Sequence, residues 1–279
     1  MYNKNQPAVE DPYADLAEHY DKAIGSIDQR SDQYKEFFAN VLRQHGCERV
    51  LDVSCGTGVD SAILLDHGFK VVSTDASMHM LKFAMKMKAE NAGVPKYDDW
   101  IIKQASWETL PEDLDKFLPP GTRFDAVVCL ANSISHVLND DGKQTTLKKC
   151  LRNLGECLKP GGVLLVDHRN YDLLLDNIQA PKNNVYYKYQ NPIDITSTLV
   201  MENGKPKMVT IDFAVDLASQ DDKESCSLRL RCYPHRLSSF SQLLEEAFDE
   251  QATHQVFGDF QPAGQVPAPG FYQHVMRKT

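Results

Sequence analysis

The run from Arg49 to Asp75 constrains this chain more than any other: Arg-Val-Leu-Asp-Val-Ser-Cys-Gly-Thr-Gly-Val-Asp-Ser, an apolar stretch, then Lys-Val-Val-Ser-Thr-Asp. Val50-Leu51-Asp52-Val53 suits a strand covered on both faces. Gly56 and Gly58 permit a sharp turn and a close approach of backbone to a ligand, which side chains would block. Asp75 ends the second strand candidate, 17 residues after Gly58. A doubly wound sheet places there the carboxylate that accepts ribose hydroxyls. The last glycine of the dinucleotide pattern is missing, because Ser61 stands in its place. The helix start is then not cleared for a pyrophosphate, and an adenosyl ligand without phosphates fits better.

Around this run the chain alternates. Ser31 reads as an N-cap, Tyr34, Phe37, Phe38, Val41 and Leu42 follow at helical spacing, and Gly46 closes the helix. Strands are predicted at 49–53, 70–74, 100–104, 124–130 and 162–167, and helices at 59–67, 77–92 and 143–158. That alternation calls for a parallel sheet with helices on both faces. Beyond Tyr171 the pattern turns β-rich, and Asn203-Gly204 is a strong hairpin signal. The expected division is an N-terminal segment over 1–30, a cofactor-binding α/β domain over 31–171, an antiparallel insertion over 172–226, and strands and helix over 227–279 that complete the main sheet. In that reading Leu228–Tyr233 returns to the main sheet.

A net charge of −9 leaves no basic footprint, which argues against a nucleic-acid partner. Seven cysteines without a C-x-x-C pair read as free thiols in a reducing compartment rather than disulfides or zinc ligands, so no metal is expected. No apolar run approaches a membrane span, and the polar start is no signal peptide. The expected setting is cytoplasmic.

In open α/β sheets the ligand lies beyond the carboxyl ends of the strands. That rule selects the loops 54–60, 75–80, 105–109, 131–136 and 167–172. Trp107, after Ser106, could sandwich an adenine or serve as ordinary core. Asn132 suits a polar ligand contact, while His136 on its own reads more readily as a satisfied surface histidine. Arg169, in Asp167-His-Arg-Asn-Tyr-Asp172, offers a planar fork for a carboxylate, or a structural salt bridge to Asp167 or Asp172. Tyr186, Tyr187 and Tyr189 read first as sheet packing.

The Asp167–Asp172 run, with Cys55-Gly-Thr-Gly-Val-Asp-Ser, Asp75-Ala-Ser-x-x-Met80, Phe124-Asp-Ala-Val, Tyr186-Tyr-Lys, Tyr233-Pro-His and Gly258-Asp-Phe, resembles the glycine/sarcosine N-methyltransferases from about Tyr13 to the end. The resemblance implies a doubly wound, mostly parallel seven-stranded Rossmann-like sheet with a small antiparallel insertion. It implies S-adenosylmethionine as cofactor, S-adenosylhomocysteine as product, methyl transfer to the amine of glycine or sarcosine, and a homo-oligomer. Arg169 would hold the substrate carboxylate with Asn132 and Tyr187. The cofactor would meet Tyr13, Tyr20, Arg30, Ser54, Gly56, Asp75, Met80, Ser106, Trp107, Leu130 and His136.

Three departures stand against that likeness. The family's glycine enzymes carry tyrosines where this chain has Ala23, Phe213 and Cys232, which implies a roomier, less polar site. Sarcosine or dimethylglycine then become candidate substrates, with betaine synthesis as the setting. A methyltransferase for another amine, and a non-catalytic binder of S-adenosylmethionine or folate, are the competing readings.

Overall fold

A computed structural model describes residues 13, 17, 18, 20, 26–139, 141–179, 184–188, 193–216, 225–248 and 251–279. Ala23 and Tyr189 lie outside the described residues. In chain order the elements are α1 (Asp32–Gln44), β1 (Arg49–Asp52), α2 (Val59–Asp66), β2 (Lys70–Asp75), α3 (Met78–Glu90), α4 (Pro95–Asp98), β3 (Ile101–Gln104), α5 (Leu110–Leu114), β4 (Phe124–Cys129), α6 (Thr145–Glu156), β5 (Leu158–Arg169) and α7 (Asp172–Asn177). They continue with β6 (Ile193–Glu202), β7 (Lys205–Asp216), β8 (Ser225–Cys232), α8 (Leu237–Ala247), β9 (Thr253–Gly258), β10 (Gln261–Pro262) and β11 (Phe271–Arg277).

The main sheet runs β10-β9-β11-β5-β4-β1-β2-β3. The five strands β1 to β5 pair in parallel, and β11 enters antiparallel between β5 and β9. The order reverses between β1 and β4, which opens a crevice at their carboxyl ends. Successive β1 residues face opposite cores, as the apolar run requires. Val50 packs with Tyr34, Phe38 and Leu42 of α1, while Leu51 packs with Leu151 of α6 and Phe240 of α8. Ser31 caps α1 by accepting from the Tyr34 amide at 3.1 Å.

The sheet has one strand more than the seven expected, the two-residue β10. It folds back on β9 through Asp259 (φ 48°) and Phe260 (φ 68°). Two positive φ values in a two-residue turn are what Asn-Gly usually marks, so Asp-Phe gave no signal. Here the Asp259 carboxylate holds the shape by accepting from the Gly270 and Phe271 amides.

The antiparallel sheet is β6-β7-β8. The Asn203-Gly204 hairpin forms as expected, with both residues at positive φ. β8 corrects the expectation for 228–233: it pairs with β7, Ile211 opposite Leu230 and Val209 opposite Cys232, and not with the main sheet. Val209, Ile211, Phe213 and Leu228 bury one shared face against Tyr171 and Leu174. A strand in the main sheet would have had to separate those residues from their partners.

Candidate functional site

All five strand-end loops selected above line one cavity of about 600 Å³. Of the expected site residues, Tyr13, Tyr20, Ser54, Gly56, Asp75, Met80, Ser106, Trp107, Asn132, His136, Arg169 and Tyr187 lie on its wall. Arg30 and Leu130 do not. Leu130 is buried in the core beside β4. Arg30 is 3% exposed, and its guanidinium reaches both carboxylate oxygens of Asp60 at 3.0 and 3.3 Å. It also lies 4.8 Å from the Tyr187 ring centre, so it backs the wall rather than forming it.

At one end of the cavity the glycine turn and β2 meet. The Asp75 carboxylate accepts from the Gly56 amide and from the Ser77 amide, each at 2.9 Å, which fixes its direction. Asp52 pins the same turn from below, accepting from Ser61 Oγ at 2.6 Å and the Ser54 amide at 3.2 Å. Burial pushes the Asp52 carboxyl up to about 7. Trp107 is at once a core and a wall residue. Its indole packs on the second core and also lines the cavity, with Nε1–H donating to the Val53 carbonyl at 2.6 Å. A carboxylate acceptor, a sharp turn and an oriented indole ring suit an adenosine moiety.

At the other end, Ala131 (φ 60°) and Asn132 (φ 67°) are consecutive left-handed residues, a conformation that costs about 1–3 kcal/mol each outside glycine. Asp167 offsets it: its fully buried carboxylate accepts from the Ala131 and Asn132 amides at 3.1 and 2.6 Å. Burial raises the Asp167 carboxyl to about 7. The Asn132 side chain is in turn locked, with Oδ1 accepting from the Arg169 amide at 2.9 Å and from Ser135 Oγ at 2.9 Å. Tyr171 Oη and Cys232 Sγ lie on the same amide, 3.1 and 3.6 Å from Nδ2.

The salt bridge from Arg169 to Asp167 or Asp172 does not form. Asp167 is taken by backbone amides and Asp172 by Arg236, and among the described residues no carboxylate pairs with the Arg169 guanidinium. It lines the cavity 4.9 Å from the Phe271 ring centre. His136 donates Nδ1–H to the Arg231 carbonyl at 2.9 Å, and the Tyr233 amide donates to the Ser135 carbonyl, which stitches the β4 loop to β8.

Sequence reasoning missed the apolar wall made by Ile211 and Leu230 beside Phe213. The alternation of Val209, Ile211 and Phe213 held that signal, but only the pairing with β8 shows which face it turns to the cavity. It also missed Thr146 and Cys150 of α6, for which no linear pattern exists.

A methyltransferase-domain sequence profile matches residues 51–164. Glycine N-methyltransferase of Rattus norvegicus is 43% identical, covering 97% of this chain and 94% of its own length. Glycine/sarcosine N-methyltransferase of Aphanothece halophytica is 32% identical over 89% of this chain and 83% of its own. Among solved structures, an S-adenosylmethionine-dependent methyltransferase from Clostridium acetobutylicum superimposes with a TM-score of 0.67, covering 96% of this chain and 99% of that one at 16% identity.

Proposed function

This chain belongs to the glycine N-methyltransferase family, and from that premise we propose that it methylates the amine of glycine and of sarcosine, with Arg169 gripping the substrate carboxylate. It is an S-adenosylmethionine-dependent N-methyltransferase. The observation that carries the substrate assignment is the Arg169 fork, in the cavity and without a carboxylate partner among the described residues.

When bound, S-adenosylmethionine supplies a methyl group activated by its positive sulfur. The side chains at the glycine-turn end would hold the adenosyl part, Asp75 the ribose and Trp107 with Met80 the base. Arg169 fixes the acceptor's carboxylate, which aims its amine along the cavity. Asn132 acts through Arg169 by anchoring its main chain, and Tyr187 closes the wall. Such alignment can supply roughly 7–11 kcal/mol of a displacement barrier. Replacing Asp75 by alanine is expected to weaken S-adenosylmethionine by about 2 to 3 kcal/mol, or 30- to 150-fold, by calorimetry.

The amine must be neutral to attack. Asp75 is engaged by two amides, and His136 donates to a carbonyl while burial lowers its pKa. We assign deprotonation to solution, before binding. The kcat/KM for glycine is then expected to climb about tenfold per pH unit between pH 6.5 and 8.5. A plateau setting in below pH 7 would instead identify a side-chain base.

Phe213 replaces a tyrosine of the family's glycine enzymes on the cavity wall, and Cys232 replaces another behind Asn132. The lost hydroxyls leave space for an N-methyl group. Turnover with glycine, sarcosine and dimethylglycine, with products identified by mass, tests the assignment. Phe213→Tyr is expected to reduce kcat/KM for sarcosine roughly tenfold more than for glycine. Cofactor binding without turnover on any of the three amines would favour the non-catalytic binder instead.

In this reading residues 31–171 carry the cofactor and the inserted sheet supplies the substrate wall. A cytoplasmic setting is part of it, favoured by six free, buried cysteines among the described residues. Among the described residues no helix is long and apolar enough to cross a membrane. Assembly into a homo-oligomer is also part of it, to be tested by light scattering.

A further inference from the structure

Three histidines that the proposed chemistry does not use cross the sheet as a continuous chain. His168 lies on β5, His274 on β11 and His254 on β9, three neighbouring strands. His274 pairs with Val166 and His254 with Met276, so each imidazole is a diagonal neighbour of the next on one face. His168 and His274 are fully buried, and their rings stack at 21° with centres 5.1 Å apart.

The hydrogen positions follow from one end. His168 Nδ1 lies 2.8 Å from the Arg169 carbonyl. A carbonyl only accepts, so that nitrogen carries the proton. Burial holds the ring neutral, its pKa lowered to about 4, so Nε2 presents a lone pair. His274 Nε2, 3.1 Å away, must donate to it. His274 is also kept neutral by burial, so its Nδ1 accepts from His254 Nε2 at 3.0 Å. His254 Nδ1 faces Glu245 Oε1 at 3.1 Å. His254 is 9% exposed and Glu245 61%, so the chain begins at the surface. His235, Tyr272 and Phe240 pack around the His168 ring, and none donates to its nitrogens.

The inner end is what matters. The Arg169 amide is held by Asn132, and its carbonyl by His168. Both main-chain polar groups of Arg169 are therefore fixed by side chains. We propose that His168, His274 and His254 are positioning residues, a chain of donors in one tautomeric order that fixes the Arg169 main chain for carboxylate binding. The inference rests on Arg169 holding the substrate carboxylate.

Two measurements test it. Nitrogen and carbon NMR of the labelled wild-type protein is expected to find His168 protonated on Nδ1 and His274 on Nε2. His168 protonated on Nε2 overturns the proposal whatever the activity. In kinetics, His254→Leu removes the donor to His274, whereas His254→Gln keeps an N–H where Nε2–H was. His254→Leu is expected to raise the glycine KM about five- to tenfold, with kcat and S-adenosylmethionine affinity within about twofold of wild type, and His254→Gln to restore KM to within about twofold. Equal KM values for the two variants overturn the proposal. If Arg169→Ala leaves glycine KM unchanged, the carboxylate assignment has failed, and the tautomer measurement still judges the histidine chain alone.

Discussion

Arg169→Ala is expected to lower kcat/KM for glycine by about 10²- to 10³-fold, the scale of removing one partner of a hydrogen-bonded charge pair in a desolvated site. The loss falls on glycine KM and kcat together, while calorimetric affinity for S-adenosylmethionine stays within about twofold, because the proposed cofactor contacts are on the glycine turn and β2 and not at Arg169. The neighbouring charges are all engaged elsewhere. Asp167 is buried and consumed by two strained amides, Asp172 is held by Arg236 at 3.3 Å, and neither carboxylate pairs with the Arg169 guanidinium. Arg169→Lys restores a point charge without the fork, and is expected to recover about tenfold of the loss. An alanine variant with unchanged glycine kinetics would remove the basis for an amino-acid substrate. Loss of cofactor affinity by the same factor would show that Arg169 serves the fold instead.

Gly58→Ala is expected to destabilise the protein by about 3 to 5 kcal/mol, read from urea or thermal unfolding, and Gly56→Ala by about 1 to 2. Both glycines sit at positive φ, 92° for Gly58 and 52° for Gly56, so both variants pay backbone strain. They differ in surroundings. A Cβ on Gly58 would stand 2.8 Å from Trp100 Cη2 and 3.0 Å from Ala84 Cβ, whereas one on Gly56 meets only the flexible end of Met80 at 3.6 Å. Trp100 cannot yield, since it is fully buried with Nε1–H donating to Ser73 Oγ at 2.7 Å. The two residues of the turn therefore do different work. Gly56 faces the cavity, and Gly58 lets α2 and α3 close on the sheet. Equal stability of the two variants would contradict that division.

Much of the site was legible because it is built at strand ends. The ends of β1 to β5 could be placed from apolar runs and turn residues, and each of the five loops so located lines the cavity. Arg169 and Asp75 stood out because charges directly after apolar strands need a reason. The Arg30–Asp60 pairing had no linear signal, because the two residues lie 30 positions apart and become adjacent only after α2 packs. Cys232 illustrates the same limit: its contact with Asn132 spans 100 positions.

By itself the sequence determined the local alphabet of this protein: strands covered on both faces, the glycine turn, the capped first helix, the Asn203-Gly204 hairpin and the carboxylate at the end of β2. Those features are set within windows of a few residues, where side-chain period and backbone preference act directly. Tertiary structure alone decided that β8 joins the inserted sheet, that Asp259 and Phe260 turn an extra strand onto the edge, that Asp60 pairs with Arg30 behind the cavity wall, and that His168, His254 and His274 meet. Each of these is a choice among partners distant in sequence. Such a choice is made by which buried polar group finds a donor and which apolar face finds a cover, and neither is expressed in any local pattern.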